Sequence, residues 1–174
     1  GQPRAARVLL DPMITAAHAF GLSHLNTLGS ALKLRVAAAM NDKAAARSPL
    51  SSSSREEQEK VPDWRLAQAR WHRSQRNLTQ ACEVCVWDNP STPASVFLTI
   101  EAARLRLVTD QHESGLTYID QAVKTCQLKG YNELAILAQL VRGALDFDND
   151  NEWNAPLHRA RSSPWVELSL TALA

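Results

Sequence analysis

Apolar residues recur along this chain at the spacing of an α-helix rather than of a β-strand. In residues 112–130 a single helical face carries Leu116, Ile119, Ala122, Val123 and Cys126. Stretches that alternate polar and apolar residues are nearly absent, and Ala, Leu, Arg, Gln and Glu fill the periodic segments. The sequence therefore predicts an all-α fold.

Turn residues such as Gly21, Asn41-Asp42 and Gly130 divide the periodic segments into nine predicted helices. The predicted helices cover about 3–20, 23–41, 63–76, 78–87, 94–109, 112–129, 132–146, 152–161 and 164–173. Because the connections are short, consecutive helices should pack antiparallel. Residues 47–62, RSPLSSSSREEQEKVP, are serine-rich and then charged, and they are predicted to form a flexible loop or linker with at most one helical turn at 55–60. The alternative is a regulatory phosphorylation site at serines 51–54.

Several segments resemble one another at a spacing of about 35 residues. Residues 31–42, 66–77 and 100–111 superpose at offsets of 35 and 34. Residues 4–25 superpose on 113–134 at an offset of 109, about three times 36. A period of 34–38 residues made of two antiparallel helices is typical of tetratricopeptide solenoids.

The period predicts one domain over residues 1–174, built from four to five antiparallel helix pairs. The pairs are expected to stack as a tetratricopeptide-like right-handed solenoid, in which each pair covers the apolar face of its neighbour. An uncovered end of such a stack is adhesive, so a homodimer through that end is one expected assembly.

Composition excludes some classes of partner. The net charge of the 174 residues is only +1, which disfavours direct contact of this segment with nucleic acid. No apolar run approaches the roughly 18–20 residues that a membrane span needs, and the first residues lack the core of a signal peptide. We therefore expect no membrane association and a cytoplasmic location. The absence of an initial Met suggests a processed chain or a fragment.

The cysteines and histidines do not form a recognisable metal or cofactor motif. The chain has three cysteines, Cys82, Cys85 and Cys126. A set that is small and odd in number argues against a disulfide framework. Cys82 and Cys85 are interpreted as core residues inside the helix 78–87, with a redox or metal role as the alternative. The five histidines lie in different predicted helices or turns, so no metal and no cofactor is predicted: His18, His24, His72, His112 and His158.

Two further features favour a structural interpretation. Residues 146–153, DFDNDNEW, begin like a calcium loop but have Asn151 and Leu157 where Gly and Glu are required, which favours an acidic turn. The five tryptophans are expected to pack between helices, with a partner surface as the alternative: Trp64, Trp71, Trp87, Trp153 and Trp165.

Arginine recurs at one position of the repeat. The superposition aligns Arg35, Arg70 and Arg104, and a fourth copy at 138–149 keeps Arg142. Equivalent positions of a solenoid lie along one face, so these guanidinium groups are predicted to form a ladder that binds a carboxylate-rich or phosphate-bearing partner. The alternative is that each arginine pairs with a nearby acid such as Glu101 or Asp63, or is simply solvated.

Residues 96–145 and 6–46 resemble the degenerate tetratricopeptide-like repeats of the MalT-like, LuxR-type transcription activators. In that family a helical-repeat domain lies between an ATP-binding module and a DNA-binding helix-turn-helix, and it binds the inducer or a regulatory protein. This chain has no GxxxxGK[ST] motif and no recognisable recognition-helix pair. The resemblance therefore implies the sensor and scaffold portion of a transcription regulator.

No arrangement of nucleophile, base and orienting residue stands at a recognisable spacing, and only six glycines are present. We therefore predict a non-catalytic scaffold that binds a protein, a peptide or a small effector. The alternative is a stand-alone tetratricopeptide-like adaptor or chaperone in a multiprotein assembly.

Overall fold

A computed structural model describes residues 3–51 and 60–145, and every regular element in those ranges is an α-helix. This confirms the predicted all-α class. The helices are α1 (Pro3–Ala19), α2 (Ser23–Met40), α3 (Lys43–Leu50), α4 (Pro62–Ser74), α5 (Leu78–Val84), α6 (Pro93–Val108), α7 (His112–Lys129) and α8 (Asn132–Leu145). None of them is both long and apolar enough to cross a lipid bilayer.

The chain divides into two compact units, Gly1–Cys85 and Val86–Ala174. In the first unit α2 is central, because it packs against α1, α3 and α4. Its core joins small residues of α2 and α3 to two indole rings of α4, and these residues are Ala31, Leu34, Ala37, Ala46, Trp64, Ala67 and Trp71. The alanines allow close helix approach while the tryptophans fill the remaining volume.

In the second unit α7 packs against α6 and α8, which also contact each other. Each helix contributes a stripe at helical spacing to one core, made of Val96, Ile100, Ala103, Ile119, Ala122, Cys126, Leu137, Ala138 and Val141. The stripe predicted on residues 112–130 therefore supplies buried positions of α7, as its periodicity indicates.

The same turn ends α2, α4 and α6. Asn41, Arg76 and Asp110 have φ values of 51°, 60° and 55°, in the left-handed region. In each turn the next residue donates a backbone hydrogen bond to the carbonyl five positions earlier, at 2.9, 2.9 and 2.8 Å. This is the Schellman geometry, which satisfies carbonyls at a helix end. The three left-handed residues are 35 and 34 residues apart, the offsets read from the sequence.

The pairs α1–α2 and α7–α8 also share local geometry at the offset of 109. Gly21 and Gly130 end the first helix of each pair with φ of 67° and 72°. Lys33 donates to Asp11 at 2.7 Å, and Arg142 donates to Asp120 at 2.7 Å. Since 11 and 33 become 120 and 142 when 109 is added, the two ion pairs occupy matching positions.

Helix α3 was not predicted, and the sequence signal for it is a cap. The Asp42 side chain accepts a hydrogen bond from the Ala45 amide at 3.0 Å, so Asp42 begins a helix after the turn. Residues 47–50 of the segment predicted as a loop are therefore helical, and Pro62 stands at the start of α4. The middle of that segment, and the helices predicted at 152–161 and 164–173, lie outside the described residues.

Candidate binding groove

A groove of about 210 Å³ opens on the first unit between α1, α2 and α3. Its floor is apolar, since Leu10 and Ala37 are buried there. The lining residues are Arg7, Leu10, Asp11, Lys33, Val36, Ala37, Met40, Ala44, Ala45 and Ser48. Most small-molecule sites measure about 300–1,000 Å³. The groove is therefore suited to one or two side chains of a larger partner rather than to a complete small effector.

Two ion pairs lie at the rim of the groove. Lys33 Nζ lies 2.7 Å from Asp11 Oδ1, and Arg7 Nη1 lies 3.3 Å from Asp42 Oδ2. The Lys33 ammonium donates a hydrogen bond that holds the pKa of the Asp11 carboxyl below its ordinary value. Exposed pairs of this kind contribute little to stability, so a charged partner can exchange with either member. The rim thus offers both a cation and an anion beside an apolar floor.

Sequence reasoning missed this groove because its residues come from three helices. Asp42 is the residue with the clearest signal: it follows a turn and precedes an alanine run, as an N-cap does. Asp11 was aligned with Asp120 only as a repeat position, and its pairing with Lys33 depends on how α1 packs against α2. No residue of the predicted arginine column lines the groove.

The four arginines of the predicted column differ in exposure and in the partners they contact. Arg35 is exposed on α2, and Arg70 is half-buried on α4, which packs against α2. Arg104 Nη1 donates to Glu101 Oε2 at 3.1 Å, the acid pairing that was the alternative interpretation for this residue. Arg142 pairs with Asp120, so the matched ion pairs align it with Lys33 rather than with Arg35.

Arg106 is a buried cation that the repeat superposition did not single out. Its Nε donates to Ser114 Oγ at 2.9 Å and its Nη1 donates to the Ala102 carbonyl at 3.1 Å. The guanidinium carbon also lies 4.1 Å from the centre of the Tyr118 ring. These contacts join the end of α6 to the start of α7, which indicates a structural role for Arg106.

The cysteines are free thiols in three environments. Cys82 is half-buried in α5, and Cys85 is buried at the residue where that helix ends. The pair therefore lies at the C-terminal end of α5, whereas the sequence placed it inside a helix extending to residue 87. Burial raises the pKa of the Cys126 thiol to about 11, which leaves this group protonated and unreactive near neutral pH.

Among the described residues, one histidine is half-buried and two tryptophans are buried. His72 is half-buried on α4, and burial lowers its pKa. Trp64 and Trp71 are buried in the core of the first unit, and Trp87 Nε1 donates to the Asn89 carbonyl at 3.2 Å. His158, Trp153, Trp165 and the calcium-like segment 146–153 lie outside the described residues.

The groove combines two ion pairs at its rim with an apolar floor. Where side chains are described, no group of three or more His, Cys, Asp or Glu residues could hold a metal ion. Comparisons of the chain with known protein families, with curated proteins and with solved structures found no match.

Proposed function

We propose that this chain is a non-catalytic, tetratricopeptide-like helical-repeat scaffold that binds a protein or peptide partner. The observation that carries the proposal is the recurrence of one turn at Asn41, Arg76 and Asp110. Each turn joins one helix to the next, in the hairpins α2–α3, α4–α5 and α6–α7. Helix hairpins that recur at a regular spacing are the unit from which right-handed helical solenoids are built.

The matching of α1–α2 with α7–α8 supports the same architecture. In both pairs a left-handed glycine ends the first helix, and in both an acid of the first helix pairs with a cation of the second. Identical local geometry at distant positions is what a duplicated helix pair produces. Stacked pairs bind partners along their surfaces and need no catalytic cluster.

The groove between α1, α2 and α3 is the proposed contact for the partner. An apolar side chain of the partner fits over Leu10 and Ala37, while Arg7 or Lys33 receives a carboxylate of the partner. Such contacts are typical of peptide recognition, in which a few anchors enter pockets and the remainder adds complementarity.

A display selection with a library of 12-residue peptides tests this proposal. Ala44 is exposed and lines the groove, so Ala44→Trp fills the space without entering the core. Ala39 is equally exposed on α2 but does not line the groove, which makes Ala39→Trp the matched control. Peptides selected on the unaltered protein should lose at least about tenfold in affinity with Ala44→Trp and keep it with Ala39→Trp, a loss of about 1.4 kcal/mol. A selection that enriches no peptide, or peptides indifferent to Ala44→Trp, would contradict the proposal.

The narrower proposal is that the scaffold is the partner-sensing part of a transcription regulator, and it is supported by the resemblance to the MalT-like repeats. It predicts that Ala44→Trp in the parent protein changes the expression of the regulated genes, whereas Ala39→Trp does not. RNA sequencing of cells carrying each variant measures this. Unchanged expression together with lost peptide binding would retain the scaffold and reject the regulatory role.

A further inference from the structure

The rim of the groove carries two exposed charges of opposite sign on helix α1. The side chains of Arg7 and Asp11 are 52% and 58% exposed, whereas those of their ion-pair partners Asp42 and Lys33 are 28% and 29% exposed. Arg7 and Asp11 are therefore the two rim charges most accessible to a partner that enters the groove.

Both exposed side chains keep hydrogen-bonding capacity after their ion pairs have formed. Arg7 donates from Nη1 to Asp42, which leaves the other N–H groups of its guanidinium available within residues 3–51 and 60–145. Asp11 accepts from Lys33 at Oδ1, so its Oδ2 is available in the same ranges. Both carboxylate oxygens of Asp42 are already engaged, by Arg7 and by the Ala45 amide. A carboxylate can thus bind Arg7, and a cation can bind Asp11, without opening either ion pair.

The two exposed charges stand one helical turn apart, about 6 Å along α1, with Leu10 between them in the sequence. Leu10 is buried and lines the groove together with Ala37. The groove therefore presents a cation, an apolar contact and an anion in a fixed order. A wholly apolar segment would leave the spare capacity of both charges unused, so the rim distinguishes among apolar segments by the charges that accompany them.

A complementary partner has to turn an acidic, an apolar and a basic side chain toward the groove within one helical turn of α1. In an extended chain residues i and i+2 are about 7 Å apart on one face, but the residue between them points to the opposite side. In a helix residues i and i+4 are about 6 Å apart on one face, and residue i+3 lies beside them. A helical partner therefore satisfies all of these contacts together.

We propose that the partner of the groove is an amphipathic helix in which an acidic and a basic side chain, one turn apart, flank an apolar anchor. The acid binds Arg7, the base binds Asp11, and the anchor packs over Leu10 and Ala37. The order with the acid four residues before the base is the more favourable one within a helix, and such a partner runs parallel to α1. The inference rests on the proposed function and narrows it, because that proposal requires only an apolar side chain and a carboxylate.

Double-mutant cycles between the protein and a selected peptide test the inference. Peptides enriched by the display selection should carry an acid, an apolar residue and a base four positions after the acid. Replacing the peptide's glutamate with glutamine should weaken binding about threefold to the unaltered protein and no further to Arg7→Gln, because the two changes remove one contact. Replacing the peptide's lysine with glutamine should be matched in the same way by Asp11→Asn. Isothermal titration calorimetry measures each dissociation constant.

The crossed combinations are the internal control. Arg7→Gln combined with loss of the peptide's lysine should weaken binding about ninefold, the product of two independent effects. Arg7→Lys keeps the charge and should restore the coupling to the peptide's glutamate. Arg47→Gln removes an exposed cation that does not line the groove and should leave affinity unchanged. Far-UV circular dichroism establishes that each variant keeps its helix content.

Moving the peptide's lysine from four to two positions after the glutamate tests the helical conformation with the unaltered protein alone, so this measurement stands even if a variant fails to fold. On a helix the move turns the lysine to the opposite face, and affinity should fall to that of the peptide that lacks the lysine. An extended peptide would keep its affinity, since residues i and i+2 share a face of a strand.

Independent effects in the matched pairs, an equal coupling in the crossed pairs, or an affinity kept after the lysine is moved would each overturn the inference. The proposed function would survive these results if Ala44→Trp still weakened binding of the same peptides. Peptides indifferent to Ala44→Trp would instead reject the proposed function, and the inference with it.

Discussion

Arg76 has a backbone conformation that most residues avoid. Its φ of 60° lies in the left-handed region, which is sterically unfavourable for a residue with a side chain. Because the residue is exposed, contacts of its side chain do little to offset this cost. The equivalent turns use Asn41 and Asp110, residue types that tolerate the left-handed region better than arginine. The turn after α4 is therefore maintained by the packing of α4 and α5 more than by its own residue.

Replacing Arg76 with glycine should stabilise the protein by about 0.5–1 kcal/mol, because glycine adopts this conformation without steric cost. The control is Arg47→Gly in helix α3, where the same change should destabilise by about 0.5–1 kcal/mol. Urea denaturation measures both free energies of unfolding. Equal effects of the two substitutions would show that the conformation of Arg76 has no energetic consequence.

His72 links the stability of α4 to pH. Burial is the larger influence and lowers its pKa in the folded state below the ordinary 6.5, while nearby Glu83 opposes this shift. The unfolded chain therefore binds the proton more readily than the folded one. The contribution of His72 to stability is present above pH 6.5 and is lost as pH falls through its folded-state value.

His72→Gln should reduce the loss of stability between about pH 7 and 5, because glutamine does not titrate. Denaturation at a series of pH values measures the slope. A slope unchanged by His72→Gln would contradict this assignment.

At the scale of elements, α3 shows how a single cap decides whether a short segment is helical. Lys43–Leu50 is only eight residues long and contains Pro49 near its end. Isolated helices of this length are unstable in water. Asp42 compensates in two ways, since its carboxylate accepts from the Ala45 amide and also pairs with Arg7. Packing of Ala46 in the core of the first unit adds to this.

Asp42→Ala should destabilise the first unit by about 0.5–2 kcal/mol, the usual cost of losing an N-cap. Asp42→Asn keeps a capping oxygen and loses only the charge, so it should cost a few tenths of a kcal/mol. Thermal denaturation of both variants separates the two contributions. If alanine and asparagine destabilised equally, the ion pair with Arg7 rather than the cap would be the stabilising contact.

At the scale of the whole molecule, the arginine column is predicted to bind an acidic partner through guanidinium groups that come from several helices. Arg104 and Arg142 already donate to acids of their own unit, so a partner would have to compete with those pairs. Glu101 is buried, which makes its pair the harder to open. The column is therefore a separate hypothesis from the groove, and it requires its own measurement.

If the column binds acidic partners, Arg70→Ala/Arg104→Ala should weaken binding of a fluorescein-labelled octaglutamate peptide at least about tenfold. Fluorescence anisotropy at low salt is the measurement, because screening reduces such contacts. Arg4→Ala/Arg47→Ala removes two exposed cations outside the column and should change affinity far less. Equal effects of the two double variants would reject the column as a binding site.

The spacing of apolar residues sufficed to predict most of the helices. The left-handed residues of the three turns are spaced by the repeat offsets of 35 and 34, although no turn was predicted at Arg76. The groove could not be predicted in this way. Its rim joins Arg7 to Asp42 and Asp11 to Lys33, contacts that exist only once α1, α2 and α3 have packed.

The sequence by itself determined most of the local structure of this protein: which longer segments are helical and, at Gly21, Asn41 and Gly130, where the chain reverses. Those properties follow from interactions within about one helical turn. Only the tertiary structure decided which apolar faces are covered. Met13 and Ala122 stand at matching positions of matching helices, yet Met13 is 66% exposed and Ala122 is fully buried. The difference arises because α6 packs against α7. Whether an apolar residue is buried depends on which distant segment of the chain packs against it, not on the identity of the residue alone.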